Sequence, residues 1–105
     1  LLSQVLINLL KNAMQALEGQ ADGKIRMEVD TEKNQLLIRV TDNGPGVPSD
    51  LIEDIFVPFF TTKATGSGIG LSLSRQIIRM HGGELSVASL PYRETCFTVS
   101  LPVKP

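Results

Sequence analysis

The sequence predicts an α+β fold, a two-layer sandwich with helices on one face of a sheet. Two observations predict it. Apolar residues recur at helical spacing over residues 1–18 and 69–81, and alternate with polar ones near 24–29, 36–40, 84–89 and 95–101. The alternating stretches come in consecutive pairs joined by short turn segments, so the strands form hairpins and the helices form a separate layer. With 105 residues, 42% of them hydrophobic, the chain has the material for one domain with a single core.

The first helix runs from Leu1 to Glu18. Leu2, Val5, Leu6, Leu9, Leu10, Ala13, Ala16 and Leu17 follow the helical repeat. Ile7 and Met14 widen the apolar arc, so the helix is expected to be deeply buried. Its polar residues are therefore informative. Gln4, Asn8, Asn12 and Gln15 form one narrow stripe. An unpaired buried amide costs roughly 1–3 kcal/mol, so something polar should face that stripe. It is either a structural ladder pinning a neighbouring loop or a ligand site. We favour the second, because side-chain amides supply oxygen to hard cations such as Mg2+.

A polar loop, 18–23, leads to a strand with Ile25, Met27 and Val29 on one face. Lys33-Asn34-Gln35 signals a turn, and Leu36, Ile38 and Val40 alternate again. That strand runs into Thr41-Asp42-Asn43-Gly44-Pro45-Gly46-Val47-Pro48, a defined turn. Taken alone, Asp42 reads as a turn former bonded to its own backbone. Ser49 to Ile55 is expected to be a short helix with Ser49 as N-cap. Phe56-Val57-Pro58-Phe59-Phe60 follows, an aromatic cluster of the kind that fills cores.

Next comes Gly66-Ser67-Gly68-Ile69-Gly70-Leu71, opening a helix with Ile69, Leu73, Ile77 and Met80 at helical spacing. Glycine lets the backbone approach a ligand closely, and the unpaired N–H groups of a helix start favour an anion. The stretch reads either as a phosphate cradle or as a flexible loop before a surface helix. Gly82-Gly83 ends the helix, with His81 in its last turn as a cap rather than a catalytic group. A second hairpin closes the chain through Leu90-Pro91-Tyr92-Arg93-Glu94.

Composition excludes several functions. The net charge of -1 gives no basic field for nucleic acid. No Trp and one Tyr leave no base-stacking platform. Cys96 is the only cysteine, so there is no intrachain disulfide, and with one His it cannot complete a zinc set. It lies in a strand-like run and reads as a half-buried thiol, not a nucleophile. No apolar run spans a bilayer and no signal peptide is visible, so no membrane contact is expected of these residues. Residue 1 falls inside a helical pattern, so the chain is expected to be a fragment of a longer one.

Three features now coincide: an amide stripe on a helix, an Asp-x-Gly-x-Gly turn and a Gly-x-Gly-x-Gly helix opening. Together they resemble the catalytic and ATP-binding domain of bacterial two-component sensor histidine kinases, the Bergerat-type fold shared with gyrase-like ATPases. Asn8-Leu9-Leu10-Lys11-Asn12-Ala13 is similar to that family's N box. Asp42-Asn43-Gly44-Pro45-Gly46 resembles the G1 box, Phe56 to Lys63 the F box, and Gly66 to Leu71 the G2 box. The resemblance covers residues 1–105 as one domain. The Phe-Phe-Thr-Thr-Lys run looks most like the nitrogen-regulation subgroup. The fold it implies has a mixed, mostly antiparallel sheet covered by helices on one face.

The resemblance also implies roles. Asp42 would accept a hydrogen bond from the adenine amino group. Gly44 and Gly46 would let the backbone pass the base, and Phe60 and Thr95 would line the nucleotide site. Asn12 would ligate Mg2+ through its oxygen. Asn8 stands where the gyrase-like ATPases have a water-activating Glu, and an Asn cannot act as a base, which favours phosphotransfer over hydrolysis. Gln15 and Lys63 would contact phosphates, Lys63 as a positive charge with a catalytic role beside Asn8. Gly66, Ser67, Gly68, Ile69, Gly70 and Leu71 would hold the β- and γ-phosphates, with 61–67 as the mobile part of a lid.

The implied cofactors are ATP and Mg2+. The implied partners are a phospho-acceptor histidine domain of the same protein, absent here, and a response regulator. The parent is expected to be a homodimer, with this domain in the cytoplasm whether or not the parent is membrane-anchored. Glu94 departs from the family's usual glycine, which puts the last turn in question. An ATP-hydrolysing member of the same fold, or a degenerate domain kept for protein contacts, are the alternatives.

Overall fold

The computed structural model describes residues 2–57, 70–90 and 93–103. Two α-helices, α1 (Leu2–Ala16) and α2 (Gly70–Met80), lie on a sheet of four strands, β1 (Ile25–Glu32), β2 (Gln35–Asp42), β3 (Glu84–Leu90) and β4 (Glu94–Pro102). The strand order is β1-β2-β4-β3. Both predicted hairpins form, and every pairing among the described strands is antiparallel, so no parallel pair makes the sheet mixed there. The first hairpin turns through Lys33 and Asn34, both at positive φ (50° and 65°). That conformation matches the twist of the flanking strands.

Register builds the core. Ile38 pairs with Val99 and Val40 with Phe97, so β2 and β4 present one apolar face. Val5, Leu9 and Ala13 of α1 and Ile77 and Ile78 of α2 pack onto it together with Leu85. One step further along the same face the next pair is Asp42 and Thr95. Both are buried. The alternation that should continue apolar turns polar at one end of the sheet, where a buried carboxylate must be held by hydrogen bonds.

Three expectations need correction. First, α1 is not deeply buried. Only Val5, Leu9 and Ala13 are enclosed, whereas Ile7 is 51% and Met14 62% exposed. A sheet offers one surface, so the opposite side of the helix faces outward. Second, the inward seam of α2 is not Leu73, Ile77 and Met80. Leu73 and Met80 are exposed, and Ser74, Ile77 and Ile78 are enclosed, with Leu71 packed beside them. Both seams share Ile77, and a serine on the inner one concealed it. Third, the segment after Pro48 forms two 3-10 turns, Ser49–Leu51 and Asp54–Phe56. Pro48 takes the N-cap position, no side chain caps the turn, and Leu51 N–H donates to the Pro48 carbonyl at 2.9 Å. Ser49 is therefore not a cap.

The helix layer stops short of β1. Ile25, Met27 and Val29 share the core face, since they pair with Asp42, Val40 and Ile38, but all three are exposed. Phe56 behaves as the core aromatic expected of it: it is buried edge-on against Phe97, ring centroids 6.4 Å apart.

Candidate functional site

Asp42 ends β2 with its carboxylate inside the fold. Its Oδ1 accepts the Gly44 N–H at 2.9 Å. The turn-forming bond expected of an isolated Asp is thus present, made by a carboxylate with 2% exposure. Gly44 must be glycine for a steric reason. A Cβ there would stand 2.8 Å from Asp42 Oδ1 and 3.2 Å from the Ala16 carbonyl oxygen. The contact presses the turn against the C-terminal end of α1. Gly46 takes φ +79°, a left-handed conformation that a side chain would resist. Thr95 faces Asp42 across the strands.

Two residues that sequence reasoning passed over hold this end together. Asn43 Oδ1 accepts the Lys24 N–H at 2.6 Å and its Nδ2 donates to the Asp22 carbonyl at 3.0 Å. Gln20 Nε2 donates to the Asn43 carbonyl at 2.9 Å. Asn43 thus pins the 20–24 loop to the turn. Ser89 Oγ accepts the Val47 N–H at 2.6 Å and donates to the Glu94 carbonyl at 3.2 Å. Its parity with Leu85 and Val87 on the inner face of β3 is the signal that could have found it. Its bonds also answer the question raised by Glu94. Glu94 begins β4 as an ordinary strand residue, without positive φ, and Arg93 N–H closes the turn onto the Leu90 carbonyl at 2.9 Å.

The amide stripe survives in part. Asn8, Asn12 and Gln15 are half-buried, whereas Gln4 is exposed, so the stripe reaches the site over three of its four members. Asn8 Nδ2 donates to Ser74 Oγ at 3.3 Å, and its carboxamide carbon is 3.9 Å from where a Cβ on Gly70 would stand. Asn8 therefore sits against the first turns of α2. Ala16, at the other end of α1, touches Gly44. Eight residues of helix separate the two, roughly 12 Å. Asp42, Gly44 and Thr95 lie at one end of this track, Asn8 and Gly70 at the other, and Asn12 between. Leu71 packs against the core. Phe60, Lys63, Gly66, Ser67, Gly68 and Ile69, and the whole of the expected lid 61–67, lie outside the described residues.

Other groups are structural. His81 Nδ1 donates to the Ile77 carbonyl at 2.8 Å, the capping role expected. Gly83 N–H returns to the Ile78 carbonyl at 3.0 Å and ends the helix. Cys96 is half-buried. On the outer side of α2, the Arg75 guanidinium lies 4.3 Å above the Phe56 ring centre, and Glu84 meets both Arg79 and Arg75, at 3.2 and 3.4 Å. Burial is the largest influence on Glu84 and raises its carboxyl pKa. The hydrogen bonds from Arg79 and Arg75, the Arg79 charge and the Leu85 N–H together outweigh it and hold the group below the usual value. No group of three or more His, Cys, Asp or Glu residues gathers for a metal among the described residues.

This arrangement of sheet and helices is that of a histidine kinase catalytic domain. It superposes on the nucleotide-free catalytic domain of the histidine kinase ThkA with a TM-score of 0.83 and 38% identity, covering 97% of this chain and 67% of that one. The sequence matches the family described as histidine kinase-, DNA gyrase B- and HSP90-like ATPase over residues 1–105, and the chain belongs to it. It is 49% identical over 106 residues to the signal transduction histidine-protein kinase AtoS of Escherichia coli K12, covering 100% of this chain and 17% of AtoS. It is 41% identical over 115 residues to the sensory histidine kinase/phosphatase NtrB of Rhodobacter capsulatus, covering 99% of this chain and 32% of NtrB. The chain thus spans less than a third of the length of these relatives.

Proposed function

We propose that this domain binds Mg-ATP and, within a sensor histidine kinase, delivers the γ-phosphate to a histidine on a separate dimerisation domain of the same protein. A response regulator would receive the phosphate next, and the domain would act in the cytoplasm of a homodimeric parent. The observation that carries the reading is the polar track along α1. Its one end offers a buried carboxylate, Asp42, suited to accept the amino group of adenine. Its other end offers the start of α2, where the positive end of the helix dipole suits phosphate. The roughly 12 Å between them leaves room for ribose and the phosphate chain.

The donor set fits Mg2+ of a particular kind. Mg2+ dehydrates reluctantly and is commonly held by one or two protein oxygens together with substrate phosphates. A neutral amide suffices when the triphosphate brings the negative charge, so the half-buried Asn12 would hold it, and no acidic cage is required. Bound there, the ion would neutralise charge on the phosphates. The residues of the chain orient the nucleotide: Asp42 and Thr95 the base, Gly44 and Gly46 the backbone wall beside it, Gln15 and Asn8 the phosphate end. Catalysis would be mostly positioning and charge stabilisation, as in phosphoryl transfer generally. Asn8 has no basic group to activate water, which favours transfer over hydrolysis.

Titration with a fluorescent ATP analogue, with and without Mg2+, tests the reading. Asp42→Ala should abolish binding, and Asn12→Ala should mainly remove its Mg2+ dependence. Unchanged binding in both variants would rule out the site.

A further inference from the structure

Ser74 has no part in the function proposed above, yet its placement is unusual. It lies inside α2 with no exposed surface, in a seam otherwise made by Leu71, Ile77 and Ile78. A serine in a helix interior costs propensity relative to alanine, and a buried hydroxyl needs a partner. The partner is Asn8, 66 positions away on the facing helix, whose Nδ2 is 3.3 Å from Ser74 Oγ. Gly70, one turn earlier on α2, borders the same carboxamide and leaves space beside it.

A carboxamide has two chemically opposite ends, an NH2 that donates and an oxygen that accepts. Half a turn about its last torsion exchanges them. A hydroxyl can meet either end, so the Ser74 contact fixes where the carboxamide sits rather than which end faces the serine. We propose that Ser74 is a positioning residue for phosphoryl transfer: it anchors the Asn8 carboxamide against the first turns of α2, at the phosphate end of the site. The proposal rests on Asn8 being a site residue, as argued above. A purely steric account would instead make Ser74 a small residue that lets α1 approach α2. Alanine would serve that purpose as well or better.

The test uses the full-length kinase that carries this domain, with Ser74→Ala, Asn8→Ala and the double variant. Histidine phosphorylation is followed over a range of Mg-ATP concentrations, and thermal melting is recorded alongside. Ser74→Ala should lower the rate at saturating Mg-ATP about tenfold, the effect of losing one ordinary orienting hydrogen bond. KM and the melting temperature should stay at their wild-type values. In the Asn8→Ala background the same change should cost nothing further, because the group it positions is gone. A damaging Asn8→Ala beside a silent Ser74→Ala, or beside losses that simply multiply, overturns the role of Ser74 alone. A silent Asn8→Ala overturns the assignment of Asn8 and Ser74 together. A loss confined to KM with a lowered melting temperature assigns Ser74 to packing and overturns the proposal.

Discussion

At the scale of single residues, Asp42 and Gly44 act as one unit. The carboxylate is buried because the residue continues the inner face of β2, and it is tolerable there because the Gly44 N–H meets it. The glycine in turn is confined by the carboxylate and by the Ala16 carbonyl. Gly44→Ala should therefore push the Asp42 side chain out of place. We expect at least a tenfold loss of nucleotide affinity in the same titration, with a stability cost of about 1–3 kcal/mol from overpacking. Sequence alone made Asp42 and the glycines stand out as a turn. It did not reveal that the carboxylate making the turn-forming bond is also buried, because that depends on which face of β2 is covered.

At the scale of elements, α2 is held on two sides. Ser74 meets α1, while Arg75 covers Phe56 and shares Glu84 of β3 with Arg79. The Glu84 carboxyl sits below its usual value, so its contribution is fully present above the unfolded pKa and is lost as pH falls through the folded one. Glu84 is half exposed, and solvent screening keeps the effect to a few tenths of a kcal/mol. Wild type should lose that margin over Glu84→Gln on acidification below about pH 4, read from melting temperatures between pH 7 and 3. The elements themselves were legible, since both helices and all four strands follow their periodicities. The phase of α2 was not: Leu71, Ser74 and Ile78 form a seam as regular as Leu73, Ile77 and Met80, and only the position of α1 selects it. The segment after Pro48 was misread for a related reason, since a proline and a serine at a boundary do not tell a 3-10 turn from an α-helical one.

At the scale of the whole molecule, one core joins both helices to β2, β4 and β3. Leu9 is fully enclosed in it. Leu9→Ala should cost about 2–5 kcal/mol through lost burial and the cavity left behind, measured by urea unfolding as a lower midpoint at unchanged slope. The exposed Ile25, Met27 and Val29 show that this core face extends beyond the helices that cover it.

The sequence by itself determined the fold class and the order of elements, because periodicity and turn chemistry are local properties, and its motifs marked the candidate site residues. Only the tertiary structure decided which of those residues converge. Asn8 meets Gly70 and Ser74, Gly44 meets Ala16, and Val47 is tied to Ser89, each across a long stretch of chain. The first two meetings follow from how α1 lies across the sheet, and the third from the turn after β2 reaching past β4 to the end of β3.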